Sequence, residues 1–524
     1  MVKPSSIAGI CAYGSKVAGY ARPDSDYDLM VVVRNFREGV RYKYVNDPVP
    51  ASALIVDEGL LHQDASASFL GEFVIGRLLN VYESIANPAL FQSVEHDYKT
   101  RVIVEALLEL SSDYGIFCRH ILIPYGYFLF DKLRKRSILY PPALYSYVRT
   151  YNCPMAEENR AITTQGFREA AQSLSSRGYF TTEETGVRII PEKMKGDAFT
   201  KVESIFSLTT RGVTQYAVHG YAGRVGLSVI RNEAQSKLRR MREKPEPLPE
   251  LEQPKTLLKL EEGVVIPEAS RLEKDLARLL GYVEYTAKEK LIGDPYSTTR
   301  ILTFRGDGRE SSLVLKNFSD IRSLKWALVG FWAASANKFS MAPLARLERE
   351  YATTRLLRKA GVLVPTIVAV SPDARILVKD YVKGPPLSTV IDGIFKGNTE
   401  GIRSVAAYGK LMAKVHGAGI ALGDAKASNV IVSPRGLFLT DLEQADPQGD
   451  KAWDLAEFIY YTAKLSIREE AMKHVAHAFL GSYASEGTRD VMSRTSSLKY
   501  LRPFQPFILP TMAKSLRDMM GEFA

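Results

Sequence analysis

The stretch Val415–Ala445, VHGAGIALGDAKASNVIVSPRGLFLTDLEQA, decides how the C-terminal half of the chain is read. Asp424 and Asn429 stand five apart in a polar loop between a helical pattern and an apolar strand, and Asp441 opens a turn after the strand Leu437–Leu439. Phosphoryl transfer needs this set: one carboxylate to orient an acceptor hydroxyl, with an amide and a second carboxylate to hold Mg²⁺ on the phosphates. Lys426, two residues after Asp424, is placed to neutralise the moving group.

The reading extends outward in both directions. Upstream, SSLVLKNF (Ser311–Phe318) alternates as a strand and brings Lys316 toward the α- and β-phosphates. RLEREYATTRLLRKAGVLVP (Arg346–Pro365) has the period of an amphipathic helix and offers Glu350 as the partner of Lys316. Downstream, KAWDLAEFIYY opens a mostly apolar helix whose Asp454 is expected to brace the catalytic loop as structural support. Taken singly, a strand lysine is a solvated edge and an Asp-x4-Asn pair is turn chemistry. It is the order Lys, Glu, Asp, Asn, Asp, Asp that points to a kinase-type site.

Over roughly residues 275–482 these motifs resemble the protein-kinase superfamily in its atypical microbial branches, above all the small kinase/ATPase of the KEOPS tRNA-modification complex. RIO kinases and aminoglycoside phosphotransferases share that core. The resemblance implies a bilobal fold, ATP as donor and serine/threonine-type phosphoryl transfer. Three departures stand out: Leu422 precedes Gly423 and Asp424, Asp441-Leu442-Glu443 replaces Asp-Phe-Gly, and the glycine-rich phosphate loop is reduced to Gly293 in LIGDPYSTTR. Only 12 residues separate Asp441 from Asp454, too few for a switchable activation segment.

The N-terminus carries a second block, YGSKVAGYARPDSDYDLMVVV (Tyr13–Val33). Gly14 and Ser15 are expected where a strand ends and a helix begins, a position that favours phosphate. Asp26 and Asp28, two apart at the start of a strand, point the same way and would be offset by Mg²⁺ or Mn²⁺. A third carboxylate is expected from a neighbouring strand, with Asp57 the choice and Glu58 the alternative. This block resembles the polymerase β-like nucleotidyltransferases, in their minimal and CCA-adding branches, over roughly residues 8–75. Gly14, Ser15, Gly19, Arg22, Pro23, Ser25, Asp26, Asp28, Leu29 and Val31 carry the match. The resemblance implies that Asp26, Asp28 and Asp57 are metal ligands, with Gly14 and Ser15 on the phosphates.

Between the two blocks, the apolar spacing of Leu78, Leu79, Ile85, Leu90 and Phe91 predicts helix from Phe73 to Lys132. The apolar window Ile116–Phe130 reads as core helix, too short and too interrupted to cross a bilayer. Helices beginning at Pro141 and spanning Thr164–Ser176, then a hairpin of Tyr179–Thr182 and Gly186–Ile190, give the order of a winged helix. Arg168 and Arg177 are its candidate nucleic-acid contacts. EKPEPLPELEQPK (Glu243–Lys255) reads as a semi-extended linker. The expected organisation is therefore multidomain α+β: a nucleotidyltransferase α/β domain over 1–75, a helical segment over 76–140, a winged-helix-like domain over 141–195, a helical segment over 196–242, a linker over 243–256 and a kinase-like domain over 257–524.

With 524 residues, 46% hydrophobic and 24% charged, the composition is that of a globular chain of several domains. Cys11, Cys118 and Cys153 fit neither a disulfide framework nor a zinc pattern, which suggests a reducing, cytoplasmic compartment with no membrane role. A net charge of +10 favours anionic partners: a nucleoside triphosphate, and RNA, tRNA or a nucleic-acid-bound protein. The expected function is bifunctional, with Mg²⁺-dependent nucleotidyl transfer at one end and phosphoryl transfer from ATP or another NTP at the other, onto RNA or a protein substrate. The alternatives are a nucleotide-binding regulator with one inactive domain, and a small-molecule enzyme of the aminoglycoside-modifying type.

Overall fold

β-Branched runs separated by Gly and Pro turns build the first sheet, because branched side chains suit a pleated, half-buried surface. Its strands are β1 (Ile7–Tyr13), β2 (Tyr27–Val33), β3 (Val40–Val45), β4 (Ala51–Asp57) and β5 (Tyr82–Ala86), in the order β3-β4-β2-β1-β5. β2 and β4 run parallel and the other neighbours antiparallel. The computed structural model describes residues 4–23, 25–47, 49–194, 249–292, 298–318 and 342–523, with six further positions between 211 and 222. Those six positions are helical, and the rest of the helical reading of 196–242, the first part of the linker and Gly293 lie outside the described residues. The chain is mixed α/β and divides into two compact units, Met1–Leu260 and Glu261–Ala524.

Within the first unit two helical expectations are corrected. Tyr82–Ala86 is a strand on β1, set off from the helix Pro88–Tyr114 by Asn87 in the left-handed region (φ 57°) and Pro88 in the first turn. Ile116–Phe130 is not one helix: a 3-10 turn (Gly115–His120) leads to β6 (Leu122–Pro124) before the helix Tyr125–Leu139 starts. Pro124 lacks an amide proton and suits the helix entry, not its interior. β7 (Phe180–Glu183) and β8 (Gly186–Ile189) form the expected hairpin, and β6 joins its β8 edge.

The helix before that hairpin spans Ala156–Leu174, starting earlier than Thr164. The Thr163 and Thr164 hydroxyls donate back to the Asn159 and Arg160 carbonyls, which lets both threonines lie inside it. At Gly166 a Cβ would come within 2.6 Å of the buried Lys99 Nζ, so a larger residue there would have to displace the Lys99 side chain. Arg168 and Arg177 are exposed, with the Arg168 guanidinium over the Tyr125 ring. The end of the expected linker is packed: Leu251 is buried, and its carbonyl accepts from Arg134.

A buried polar knot fixes the loop Ser68–Leu79. Asp64, fully buried, accepts the amides of Leu70, Glu72, Val74 and Ile75 at 2.8–3.1 Å. Glu72 adopts a left-handed φ of 66° and meets Lys132, Arg101 and Arg136 at 2.7–3.0 Å. Burial alone would raise the Glu72 carboxyl, but these three cations hold it well below the usual range.

The second unit has a six-stranded sheet: β9 (Val264–Val265), β10 (Thr286–Ile292), β11 (Thr299–Gly306), β12 (Arg309–Asn317), β13 (Ile367–Ser371) and β14 (Ile376–Asp380), in the order β10-β11-β12-β14-β13-β9. One face packs around Leu302, Phe304, Leu313 and Val378. A second core collects the helices Leu387–Phe395, Ile402–Gly417, Lys451–Ala463 and Glu469–Ala484 around Tyr408, Trp453, Phe458 and Phe479. The hairpin of β15 (Val430–Ser433) and β16 (Gly436–Leu439) lies against this helical core. No helix of the described residues is long and apolar enough to cross a membrane.

The Asp64 knot gives a direct test. Asp64→Ala strands four buried amides and should cost about 3 kcal/mol or more in urea unfolding of the full chain.

Candidate functional sites

At the N-terminal site, strand register decides which side chains share a face. Asp28 pairs with Tyr13 on β1 and with Ser52 on β4, and Ser52 pairs with Tyr44 on β3. Lateral partners point to one side of a sheet, so these four form a row. Gly14 sits against it: a Cβ there would lie 2.2 Å from Asp28 Oδ2, and φ is +81°. The segment after Gly14 is a turn rather than the expected helix, closed by Ala18 N–H to Gly14 O and Tyr20 N–H to Ser15 O, each 3.0 Å. Burial and the neighbouring Asp26 push the Asp28 carboxyl up to about 7, while Arg77 draws it down. A buried carboxylate with a second one beside it is a donor set that suits a hard divalent cation.

Asp57 is not part of this set, a correction that follows from the parallel register. Asp57 pairs with Val33, five residues along β2 from Asp28, or roughly 16 Å at strand rise. Its carboxylate caps the helix Glu58–Ala67, accepting from Gly59 and Leu60, and also takes the Phe36 amide at 2.8 Å. Glu58 stays at that far end, paired with Arg34. The position beside Asp28 on β4 belongs to Ser52. Sequence spacing could not reveal this, because it depends on which end of β4 meets the start of β2.

At the C-terminal site, Lys316 on β12 is the hub. Its Nζ lies 2.7 Å from Glu350, 2.5 Å from Asp441 and 2.9 Å from Glu443. Burial would lower this amine, but Asp441, Glu350 and Glu443 raise it well above its ordinary value. Lys379 on β14 pairs laterally with Val314, two residues from Lys316, so both lysines face Glu350, and Lys379 forms an ion pair with it. Arg346, one turn before Glu350 on the helix Pro343–Lys359, donates to Glu443 at 3.0 Å. Three carboxylates are thus matched by three cations. The oxygens of Glu350, Asp441 and Glu443 all lie within 4.8 Å of one another, and oxygen donors of this kind suit Mg²⁺.

The loop around Asp424 is held from behind. Asp454 accepts the Leu422 and Gly423 amides at 2.6 and 2.8 Å and contacts His416 Nε2 at 3.0 Å. Trp453 Nε1 donates to Gly423 O, and Glu457 takes the Ala425 amide at 2.8 Å. Burial first, and then the Asp424 charge, raise the Glu457 carboxyl well above its usual range. Asn429 Nδ2 donates to the carbonyl and carboxylate of Asp424, and Lys426 reaches Asp424 Oδ1 at 2.5 Å. Asp441 has a left-handed φ of 55°, and its carboxyl is held low: burial opposes this, while Lys316, Lys379 and Lys426 outweigh it. The Lys426 charge therefore links the Asp424 loop to the Lys316 cluster. Asp424, Lys426, Asn429 and Asp441 keep some exposure, whereas Glu350, Asp454 and Glu457 are buried.

Sequence reasoning missed Lys379, Arg346, Glu443, Glu457 and Arg77. The i,i+4 spacing of Arg346 and Glu350, and the i,i+3 spacing of Asp454 and Glu457, were the available signals. No family model and no curated protein matches the chain. Among solved structures, one described as WaaP in complex with acyl carrier protein is similar at 13% identity, covering 49% of this chain and 98% of that one, with a TM-score of 0.27.

Two outcomes test the geometry. Folding holds the Asp28 proton more tightly than the unfolded chain does, so parent stability falls as pH rises from about 4 to 7, by up to ~1.4 kcal/mol per unit. Asp28→Asn stays neutral, so in metal-free urea titrations its stability relative to the parent should rise across that window. Asp454→Ala leaves two buried amides and His416 without their acceptor and should destabilise the second unit by about 3–5 kcal/mol, read by its unfolding midpoint.

Proposed function

We propose that the chain is a nucleotide-using transferase with two sites: phosphoryl transfer from ATP or another NTP at Asp424, and nucleotidyl transfer at Asp26 and Asp28. The observation that carries the first is Lys316 meeting Glu350 and Asp441 at once, three residues from separate elements. In this reading Lys316 and Lys379 grip the phosphates, and Asp424 accepts a hydrogen bond from the attacking hydroxyl and takes its proton. Lys426 offsets charge on the moving group, and Asn429 and Asp441, with Glu443 beside them, hold the metal ion. A bound Mg²⁺ would neutralise the phosphate oxygens. The rigid loop supplies orientation, since Asp454 and Glu457 fix the amides on either side of Asp424.

The nucleotidyl reading rests on the contact between Gly14 and Asp28, which leaves no room for a side chain at position 14, and on the Asp26–Asp28 pair. RNA or tRNA as acceptor is supported by the net charge of +10 and by the exposed Arg168 and Arg177.

The test uses α- and γ-labelled ATP with Mg²⁺, the full chain and total tRNA, following label into RNA and into the protein itself. Asp424→Ala should reduce γ-label transfer by roughly 100-fold or more and leave α-label transfer intact. Asp26→Ala should do the reverse. If Asp26→Ala spares both labels while Asp424→Ala removes both, the nucleotidyl assignment is wrong.

A further inference from the structure

The sheet face that carries Asp28 is completed by a cation. Besides Asp28, its row holds Tyr82, Tyr13, Ser52 and Tyr44, and Tyr42 lies on the same face because its partner Leu54 is two residues from Ser52. The described strands place no second carboxylate in that row. Arg77 reaches over it instead. Its Nε donates to the Tyr13 hydroxyl at 3.2 Å and its Nη2 to the Tyr42 hydroxyl at 2.6 Å, while the guanidinium lies 4.4 Å from the centre of the Phe73 ring.

The delivery of this arginine is strongly fixed. It ends a 3-10 turn, Ile75–Arg77, directly after the four amides that Asp64 holds. The preceding residue, Gly76, packs so tightly on Arg136 that a Cβ would meet its guanidinium. A guanidinium fixed by two hydroxyls and a ring loses little freedom on meeting an anion, and its planar fork matches phosphate oxygens. Its charge is felt at Asp28. Asp28 alone needs no fork. A ligand that brings phosphate oxygens and a cation together would use both the carboxylates and the arginine.

We propose that Arg77 binds the phosphates of a nucleoside triphosphate at the Asp26–Asp28 site, closing the face that a third carboxylate was expected to close. This rests on the nucleotide reading of that site. Specificity follows from charge: with Arg77 on the phosphates, ATP is favoured over AMP by more than the shared nucleoside contacts supply.

The experiment measures binding of ATP and of AMP, each with Mg²⁺, to the full chain carrying Lys316→Ala and Asp441→Ala, which removes the second site's grip. Arg77→Gln should weaken ATP by about 10- to 100-fold and AMP far less, collapsing the ratio between them. Arg77→Lys, which keeps charge without the fork, should fall between. If Arg77→Gln does not fold, Tyr42→Phe removes only one anchoring hydroxyl and should weaken ATP severalfold with AMP nearly unchanged. Equal losses for ATP and AMP would make Arg77 a packing residue and overturn the proposal. Unchanged ATP binding in Arg77→Gln, with binding lost in Asp28→Asn, would overturn it while sparing the nucleotide reading. Binding unaffected by both Asp28→Asn and Arg77→Gln would sink that reading and the proposal together.

Discussion

An ammonium group cannot leave water alone, and the second unit is organised around that cost. Lys316 is buried because Glu350, Asp441 and Glu443 surround its amine, and those carboxylates are tolerable because Lys379 and Arg346 balance them. Neither side of this arrangement can be removed singly without leaving an unpaired buried charge, which costs several kcal/mol. The strand, the helix Pro343–Lys359 and the turn after β16 are thereby held in register by electrostatics as well as by packing. The same constraint gathers three carboxylates and three cations at one place.

Both units apply a second device: a buried carboxylate that collects backbone amides. Asp64 takes four and Asp454 takes two, in each case behind a loop that presents charged side chains forward. Loops with so many committed amides have little freedom to rearrange, so the side chains they carry are positioned before any ligand arrives. Glu457 extends this at the Asp424 loop, adding a carboxyl whose charge is suppressed by burial and by Asp424 itself.

Much of this was legible in the sequence where chemistry follows local order. Lys316, Glu350, Asp424, Asn429, Asp441 and Asp454 each lie on the element their neighbours predicted. What failed was whatever depends on lateral pairing. The helical spacing of Leu78, Leu79 and Ile85 conceals a strand, because period alone cannot register that Tyr82–Ala86 hydrogen-bonds to β1. Asp57 has the right residue type at the wrong end of a parallel strand. Arg77 and Lys379 carry no motif, since each acts through partners 35 or more residues away or across a sheet.

The identity of Gly14 is set by Asp28 on the neighbouring strand. Glycines in phosphate-binding turns are usually credited to the ligand, whose oxygens need room to approach the backbone. Here the space is already claimed from within, because the carboxylate of Asp28 occupies the volume that a Cβ would take. The glycine is therefore demanded by the folded protein before any nucleotide is considered. A glycine at such a position reports where the neighbouring strand aims its acid, and selection on folding alone would be enough to keep it.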